Sequence, residues 1–581
     1  MTAFNNQPRV KVKGNYSCAK GWENISSQIL EVANSKKNQK VIIVETYQGV
    51  HIEELIDELQ KGLNAERLIY TKQLMKSEEN ISSMVYPDVT DDRIFGYLTR
   101  INIEDYFDAA KVEEAKKAVA KESNSVLIIG PGAAQLYTGD ETLVYADIAR
   151  WEIQQRMRRH EVDNLGVSNR DTEDWMLLYK QGFFVDWRVC DRFKKKLFDK
   201  IDLVLDTNLK GSPKMISGEA ALKGYAQTVN QPFSVVPFFD PGPWGGQWMK
   251  EKCNLDPSAQ NYAWCFNCVP EENSLLLEVD GELVELPSIN VVFKHPVELM
   301  GDAVHARFGD EFPIRFDFLD TMDGGNLSLQ VHPLTEYIQE KFGLHYTQDE
   351  SYYMMDAKKD AIVYLGFKEG VNPEECIKDL NRAQQGLEEF DADKHVEVWP
   401  VKKHDHVLIP AGTIHCSGKD SMVLEISATP YIFTFKLWDW GRVGLDGKPR
   451  PINLKHGENV MKWDRTTEWT KNNLVNAVQE VAQGDGWREE RTGLHEREFI
   501  ETRRHWFTKE VHHKTPFGVE VFCLVEGDQV VVESPIEVFE PFVVNYAEVA
   551  VIPANISEYT IRPCGPSEGK ECATLKAYVR S

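Results

Sequence analysis

The rhythm of hydrophobic and polar positions changes along the chain, and each change marks a different kind of structure. In the first part, apolar runs alternate with helical stripes. Residues 40–45 (KVIIVE) are a compact apolar run, residues 46–50 (TYQGV) read as a turn, and residues 51–63 place Ile52, Leu55, Ile56 and Leu59 on one side of a helix. The unit recurs. Residues 125–130 (SVLIIG) end in the turn signal Pro131-Gly132, residues 143–146 read as a short strand and residues 147–159 as a helix. This alternation predicts an α/β domain with a mostly parallel sheet over residues 1–228. The proline- and glycine-bearing stretch 225–243 (it includes VNQPFSVVPFFDPGP) reads as a crossing between domains.

Beyond that crossing the pattern becomes short strands broken by turns. Residues 274–279 (SLLLEV), the hairpin signal Asp280-Gly281 and residues 282–286 open the series. Residues 312–319, 327–332, 363–366, 406–409 and 422–427 continue it, with a helical excursion over 373–387. So many short strands predict a central β jelly roll over residues 231–470. Residues 474–481 read as a helix. Strand patterns then return at 519–524, 529–533, 542–546, 548–552, 560–562 and 573–579, which predicts a second small β domain over 490–581.

Charge narrows the function. The 581 residues carry a formal net charge of -25, a surface that repels nucleic acid and anionic membranes while allowing a locally positive pocket. No stretch is apolar for the length a bilayer requires, and MTAFNNQPRVKVKG carries no hydrophobic signal segment, so a cytoplasmic protein is expected. The ten cysteines are scattered and read as reduced, buried small hydrophobes. The pair Cys265 and Cys268 (CFNC) has no second pair nearby to complete a metal site. His505, His512 and His513 are expected to face solvent.

Candidate chemistry centres on residues 327–333 (LSLQVHP). Leu327, Leu329 and Val331 point one way, Ser328, Gln330 and His332 the other, so Gln330 and His332 share a strand face. Glu350 lies in DESYYMMDA, and His415 follows IPAGTI at the mouth of a turn. An amide oxygen, two imidazoles and a carboxylate suit zinc with a position left for water or substrate oxygen. His404 and His406 are rival ligands on this ground alone.

Motif order adds a resemblance. Trp244-Gly245-Gly246, the segment 312–320, LSLQVHP, Glu350-Ser351-Tyr352-Tyr353, IPAGTIH at 409–415 and TFKLWDWGR at 434–442 stand in the order found in type I mannose-6-phosphate isomerases, zinc enzymes of the cupin superfamily. The resemblance covers about residues 231–442. It implies one zinc per chain held by Gln330, His332, Glu350 and His415, with Lys436 and Arg442 as catalytic residues. It also implies aldose–ketose exchange between mannose 6-phosphate and fructose 6-phosphate. By the same likeness, residues 490–581 resemble a second cupin-type barrel without the ligand pattern, with IPAN at 552–555 echoing IPAG.

Three departures bear on substrate. The family's catalytic arginine is Lys436, which keeps the charge and loses the planar fork. Asp317 and Gln348 stand where the family carries lysines. Arg315, Lys294, Arg307 and Arg442 are the candidate compensating cations, and the candidate bases are His295, Asp320, Glu336 and Glu425. An unphosphorylated or differently substituted sugar, or a non-catalytic sugar sensor, are the alternatives.

The first region resembles P-loop nucleoside and nucleotide kinases, but ETYQGVHIEE at 45–54 lacks the lysine and Ser/Thr that hold a triphosphate and its magnesium. It reads as a degenerate domain. Asp105, Asp147, Arg150, Arg188 and Arg192 are polar enough to form a phosphotransfer site, and a bifunctional kinase–isomerase would need a phosphate-binding turn that the sequence does not contain. The expected partner is a small sugar or sugar phosphate, with no nucleic acid or membrane, and a homo-oligomer is compatible with the chain.

Overall fold

The computed structural model describes residues 4–428, 433–443, 450, 452–493, 495 and 498–580. The apolar run near residue 40 becomes an inner strand of a seven-stranded sheet, the middle one of its five parallel strands. Its order is Cys18–Lys20, Lys214–Ser217, Leu203–Asp206, Thr142–Asp147, Val41–Thr46, Val126–Gly130, Arg67–Tyr70. The last five in that order run parallel, and the first two are antiparallel at one edge. Every residue of Val41–Thr46 is buried, as a parallel strand covered by helices on both faces must be.

The turn after this strand is packed. A Cβ on Gly49 (φ 93°) would meet Ile153 at 2.7 Å, and Arg156 donates to the Gly49 carbonyl at 3.0 Å. Trp187 donates through Nε1 to Gln48 at 2.8 Å. Glu45 accepts from the backbone N–H groups of Gly132 and Ala134, both at 2.7 Å. Donors that could face a phosphate are therefore already engaged. Of the candidate phosphotransfer residues, Asp147 is paired with Lys194 at 2.5 Å, Arg150 with Asp191, and Asp105 accepts from the backbone of Asn102 at 2.8 Å.

The hairpin at Asp280-Gly281 forms with both residues at positive φ (53° and 77°). It does not join the central strands. Ser274–Val279 and Glu282–Pro287 make a three-stranded sheet with Arg9–Lys11, packed on the Gly218–Thr228 helix, where a Cβ on Gly224 would strike Leu277.

The central region is two sheets. The six-stranded sheet runs His406–Ile409, Glu350–Ala357, Ser421–Ser427, Arg315–Asp320, Trp264–Cys268, Phe238–Asp240. The five-stranded sheet runs Val396–Pro400, Ile362–Phe367, His415–Ser417, Leu329–Val331, Phe435–Trp438. From Arg315 onward the chain repeatedly crosses between them, as in Arg315–Asp320, Leu329–Val331, Glu350–Ala357 and Ile362–Phe367. Helices are inserted, Pro373–Gln384 among them.

The C-terminal region is again β-rich, with a six-stranded and a four-stranded sheet. The helix expected at 474–481 is corrected. It lies earlier, at Thr467–Asn473, and Gln479–Gly484 is a strand. Asn476 adopts φ 49° and accepts from the His406 backbone through Oδ1 at 2.8 Å, which stops the helix. His505 and His513 are also corrected: both are buried, while His512 is exposed. Among the described residues no helix is long and apolar enough to cross a membrane.

The hydrophobic core is continuous from the α/β region into the central sheets. Phe95, from the first region, packs against Phe433 at 5.0 Å and Phe342 and Phe435 at 5.3 Å. Burying such a ring contributes about 1.5–3 kcal/mol.

His406 offers a test of burial in the central region. It is fully buried beside Tyr353, neither ring nitrogen has a hydrogen-bond partner, and burial pushes its pKa down to about 3. The folded state therefore refuses a proton that the unfolded chain takes below about pH 6.5. The sign follows: above that pH the residue is neutral in both states, and as pH falls stability drops by about 1.4 kcal/mol per unit until about pH 3. Denaturant titrations at pH 7 and pH 5 are expected to show about 2 kcal/mol more loss in the wild type than in His406→Phe. Equal losses would mean His406 is protonated in place.

Candidate metal centre and its surroundings

Strand register brings the site together. Gln330 lies opposite His415 on one side and opposite Lys436 on the other, so three side chains line one row of the five-stranded sheet. Glu350 begins a strand of the facing sheet, opposite Ser427 and Ile409. His332 follows Val331 and precedes the proline that ends the strand. The turn before His415 depends on Gly412. At φ 87° a Cβ there would meet Lys462, Val460 and Leu334 at 2.8–3.0 Å.

His332, Glu350 and His415 are all 0% exposed, and their ligand atoms lie within 4.8 Å of one another. His332 Nε2 is 3.1 Å from Glu350 Oε2, and His415 Nε2 is 2.9 Å from Glu350 Oε1. Yet His332 Nε2 and Glu350 Oε1 make no aligned hydrogen bond. Buried polar atoms this close would normally pair. Lone pairs aimed at a common point leave this geometry, and a cation at that point satisfies them.

The outer shell agrees. His332 Nδ1 donates to the Phe433 carbonyl at 2.7 Å and His415 Nδ1 to the Thr413 carbonyl at 2.8 Å. A carbonyl only accepts, so both Nε2 atoms are left as lone-pair donors to a metal. Gln348 donates to Glu350 Oε2 at 2.8 Å and accepts from the Phe433 N–H at 2.9 Å. Burial alone would raise the Glu350 pKa, but His332 and His415 hold it well below the carboxylate range. A candidate His/His/Glu metal cluster therefore exists. Gln330 is 7% exposed, and its amide nitrogen lies 3.2 Å from His415 Nε2. The two ends of an amide exchange by a half-turn, which would bring Oε1 to the same place.

Among the described residues, the Lys436 ammonium makes no hydrogen bond or ion pair, while its backbone N–H donates to Asn453 Oδ1 at 3.4 Å. Burial, then the nearby Arg450, push its pKa down to about 7. Arg442 donates to Asp439 at 2.6 Å, and Arg450 lies 3.0 Å from the other oxygen of the same carboxylate. Arg93, from the α/β region, also acts on Lys436 through its charge, and it is paired with Asp174 at 2.5 Å. Among the proposed compensating cations, Arg315 is bound to Asp317 at 2.9 Å, Lys294 to Asp199 at 2.5 Å, and Arg307 lies over the Phe308 and Phe499 rings. Only Arg442 is beside Lys436.

The candidate bases separate just as clearly. His295 lies near Glu298 at a helix end, and Glu336 is exposed on a helix. Asp320 accepts from the backbone of Met249 and Met322, a structural role. Only Glu425 faces the cluster, 3.5 Å from Gln348 and cross-strand from Asp317 and Tyr352. Burial, with Glu350 and Asp317 beside it, raises its pKa well above the usual carboxylate range.

The rivals are placed elsewhere. His404 contacts Tyr353 Oη at 2.9 Å and Glu526 at 3.0 Å, and His406 is buried outside the cluster. Gln348, which the sequence marks only as a lost lysine, braces Glu350. Arg450 and Arg93 also belong to the surroundings and escaped sequence reasoning, since neither lies in a motif and Arg93 is far away in the chain.

Residues 21–230 match a protein family described as a domain of unknown function (DUF8485). The chain is 26% identical to mannose-6-phosphate isomerase ManA of Bacillus subtilis over 232 residues, which is 40% of this chain and 68% of that protein. It is 25% identical to mannose-6-phosphate isomerase of Streptococcus mutans over 220 residues, 38% of this chain and 64% of the relative. The crystal structure of the Bacillus subtilis mannose 6-phosphate isomerase aligns at 17% identity and a TM-score of 0.47, covering 60% of this chain and 99% of that one. Over part of its length, then, the chain resembles mannose-6-phosphate isomerases. Nothing in these similarities supports the kinase likeness of the first region.

Removing a cluster histidine is expected to abolish metal retention. After loading with a divalent transition metal and desalting, His332→Ala and His415→Ala should bind more weakly than the wild type. The loss should exceed the roughly 10–100-fold that an outer-shell change costs. His404→Ala should bind as the wild type does. Metal analysis showing equal content in all three variants would place the metal elsewhere.

Proposed function

We propose that the chain is a zinc-dependent sugar-phosphate isomerase that interconverts mannose 6-phosphate and fructose 6-phosphate, with one zinc per chain. The observation that carries this is the convergence of His332, Glu350 and His415, fully buried, beside an unpaired Lys436. The sequence relatives named as mannose-6-phosphate isomerases support it. So does the chain's crossing between two facing sheets, the arrangement of a jelly-roll cupin domain. The four-stranded and six-stranded C-terminal sheets would form a second such unit without a metal cluster.

The donor set of two imidazoles, a carboxylate and an amide oxygen suits zinc better than magnesium or calcium, which favour all-oxygen shells. Bound there, zinc would act as a Lewis acid toward a substrate oxygen. The remaining work falls to side chains. Isomerisation moves one proton from C2 to C1 and another from the C2 hydroxyl to the C1 carbonyl oxygen. Lys436, unpaired and sharing a strand face with Gln330, is placed to offset negative charge that develops on the sugar oxygens. Glu425, whose pKa burial and the neighbouring Glu350 raise, would give a proton and take it back. Arg442 and Arg450, two guanidinium groups on the single carboxylate of Asp439, would supply spare positive charge for a phosphate.

One observation favours a second reading, an unphosphorylated sugar. Asp317 and Arg315 form a buried ion pair at 2.9 Å, where a free cation would serve a phosphate better.

A coupled isomerase assay on zinc-loaded protein decides between them. Mannose 6-phosphate is expected to turn over and free mannose is not, with His332→Ala inactive. Lys436→Met should keep its zinc and lose about a hundredfold or more in kcat, the cost of removing one preorganised donor. Arg442→Gln should raise KM with kcat little changed. Turnover of free mannose alone would establish the second reading, and silence on both sugars with zinc bound would remove the isomerase assignment.

A further inference from the structure

A cavity of about 310 Å³ lies between the α/β region and the central β region, and none of its walls comes from the metal cluster or Lys436. One wall is the Trp187–Lys195 helix. Arg188, Arg192 and Lys195 stand at i, i+4 and i+7 on it, so one helix face presents three cations to the same space. Like charges at this spacing repel, and nothing in the fold neutralises all three. Lys195 is paired with Asp310. Arg188 donates only to the Phe183 carbonyl, at 3.2 Å, and lies over the Phe183 ring. Arg192 donates to the Ile101 carbonyl, and its Nε has no partner. Arg100 enters from the residue 97–100 segment. Among the described residues, none of Arg100, Arg188 and Arg192 has a carboxylate within ion-pair distance.

Two further observations separate this from an ordinary solvated basic face. Arg150 lines the cavity at 3% exposure, and although Asp191 holds its Nη2, its Nε has no partner. Glu271 lines it at 5% exposure with Oε1 unpaired. Buried polar atoms without a partner are costly, and an ordinary solvated face does not contain them. The planar fork of a guanidinium without a carboxylate partner can donate to two oxygens of one phosphate. A carboxylate beside them would repel a bare anion, but it suits a hydroxyl that can donate to it. The volume is at the low end of small-molecule pockets, about 300–1,000 Å³.

We propose that this cavity is a binding site for a small hydroxyl-bearing phosphomonoester, separate from the metal centre. Arg100, Arg188 and Arg192 hold the phosphate, and Glu271 accepts from a hydroxyl of the ligand body. A sugar phosphate and a nucleoside monophosphate both have this chemistry. The segment at residues 97–100 continues directly from residues 92–95, where Asp92 contacts His456 at 3.2 Å and Phe95 stacks on Phe433. The site therefore adjoins the segment that packs against the metal centre's wall.

Isothermal titration of the full chain tests the site with fructose 6-phosphate, adenosine monophosphate, inorganic phosphate and free fructose as probes. His332→Ala should still bind a phosphomonoester, which keeps this site apart from the metal reading. Arg188→Gln/Arg192→Gln in that background should weaken binding about tenfold per guanidinium removed. Free fructose should not bind, and inorganic phosphate should bind more weakly than either ester. The tighter ester identifies the source. Glu271→Gln should weaken the esters and leave inorganic phosphate as tight or tighter. If the double variant does not fold, the exposed Arg100→Gln serves in its place, with about a tenfold loss expected. No binding of either ester at millimolar concentration, or unchanged affinity in the arginine variants, overturns the proposal.

Discussion

A carboxylate with no exposure to water sits between two imidazoles, and much of the central region serves to keep it there. Burying Glu350 as an ion costs several kcal/mol unless its oxygens are compensated. His332, His415 and Gln348 supply that compensation from three separate segments of chain. Each segment is fixed in turn. Phe433 holds His332 through its carbonyl and Gln348 through its N–H, and Thr413 holds His415. The Gly412 turn lets the chain enter the His415–Ser417 strand without a side chain striking Val460 and Lys462. Remove any of these and the imidazole lone pairs no longer aim at one point.

The same residue that orients the cluster ties it to the rest of the molecule. The Phe433 ring stacks on Phe95, and Phe95 belongs to the α/β region. Leu98 donates to the Phe342 carbonyl at 2.9 Å in the same stretch, and His456 contacts Asp92. The wall of the candidate site is thus partly built from a region that matches a family described as a domain of unknown function. A change in residues 92–100 reaches Phe433 through packed rings, and Phe433 reaches His332 through one hydrogen bond. That chain of contacts gives the first region a physical means of influencing the metal centre without contributing a ligand.

Local chemistry was legible where a short stretch contained both the pattern and its terminator. LSLQVHP alternates and ends in proline, so Gln330 and His332 on one face could be read directly. VIIV at 41–44 and VLIIG at 126–130 are apolar throughout, as buried parallel strands are. Long-range choices were not legible. Nothing in SLLLEVDGELVEL says that its hairpin pairs with Arg9–Lys11 instead of joining the central sheets. Asn476 looked like one more polar residue in a helical stripe, and only its left-handed backbone shows the break. His505 and His513 looked exposed because neighbouring positions are polar, whereas alternation in Val511–Lys514 turns His513 inward and His505 lies on a strand covered on both faces. Arg450 and Arg93 could not be found from motifs, because their relation to Lys436 exists only after the chain folds.

Charge is where sequence and structure together say more than either alone. Asp317 and Gln348 occupy positions where the resembling family carries lysines, and this suggests a site stripped of positive charge. The folded chain redistributes it. Arg315 cancels Asp317 within the central sheets, while Gln348 becomes a neutral brace for Glu350. Two guanidinium groups then share Asp439, next to a Lys436 whose ammonium has no partner among the described residues. A lysine at the Gln348 position would compete with His332 for Glu350 and weaken the carboxylate's pull on a metal. The neutral amide avoids that competition and leaves the cationic work to residues on the far side of Gln330. The loss of those lysines is therefore compatible with an anionic substrate, provided that the cations around Asp439, and not the floor of the central sheets, receive it.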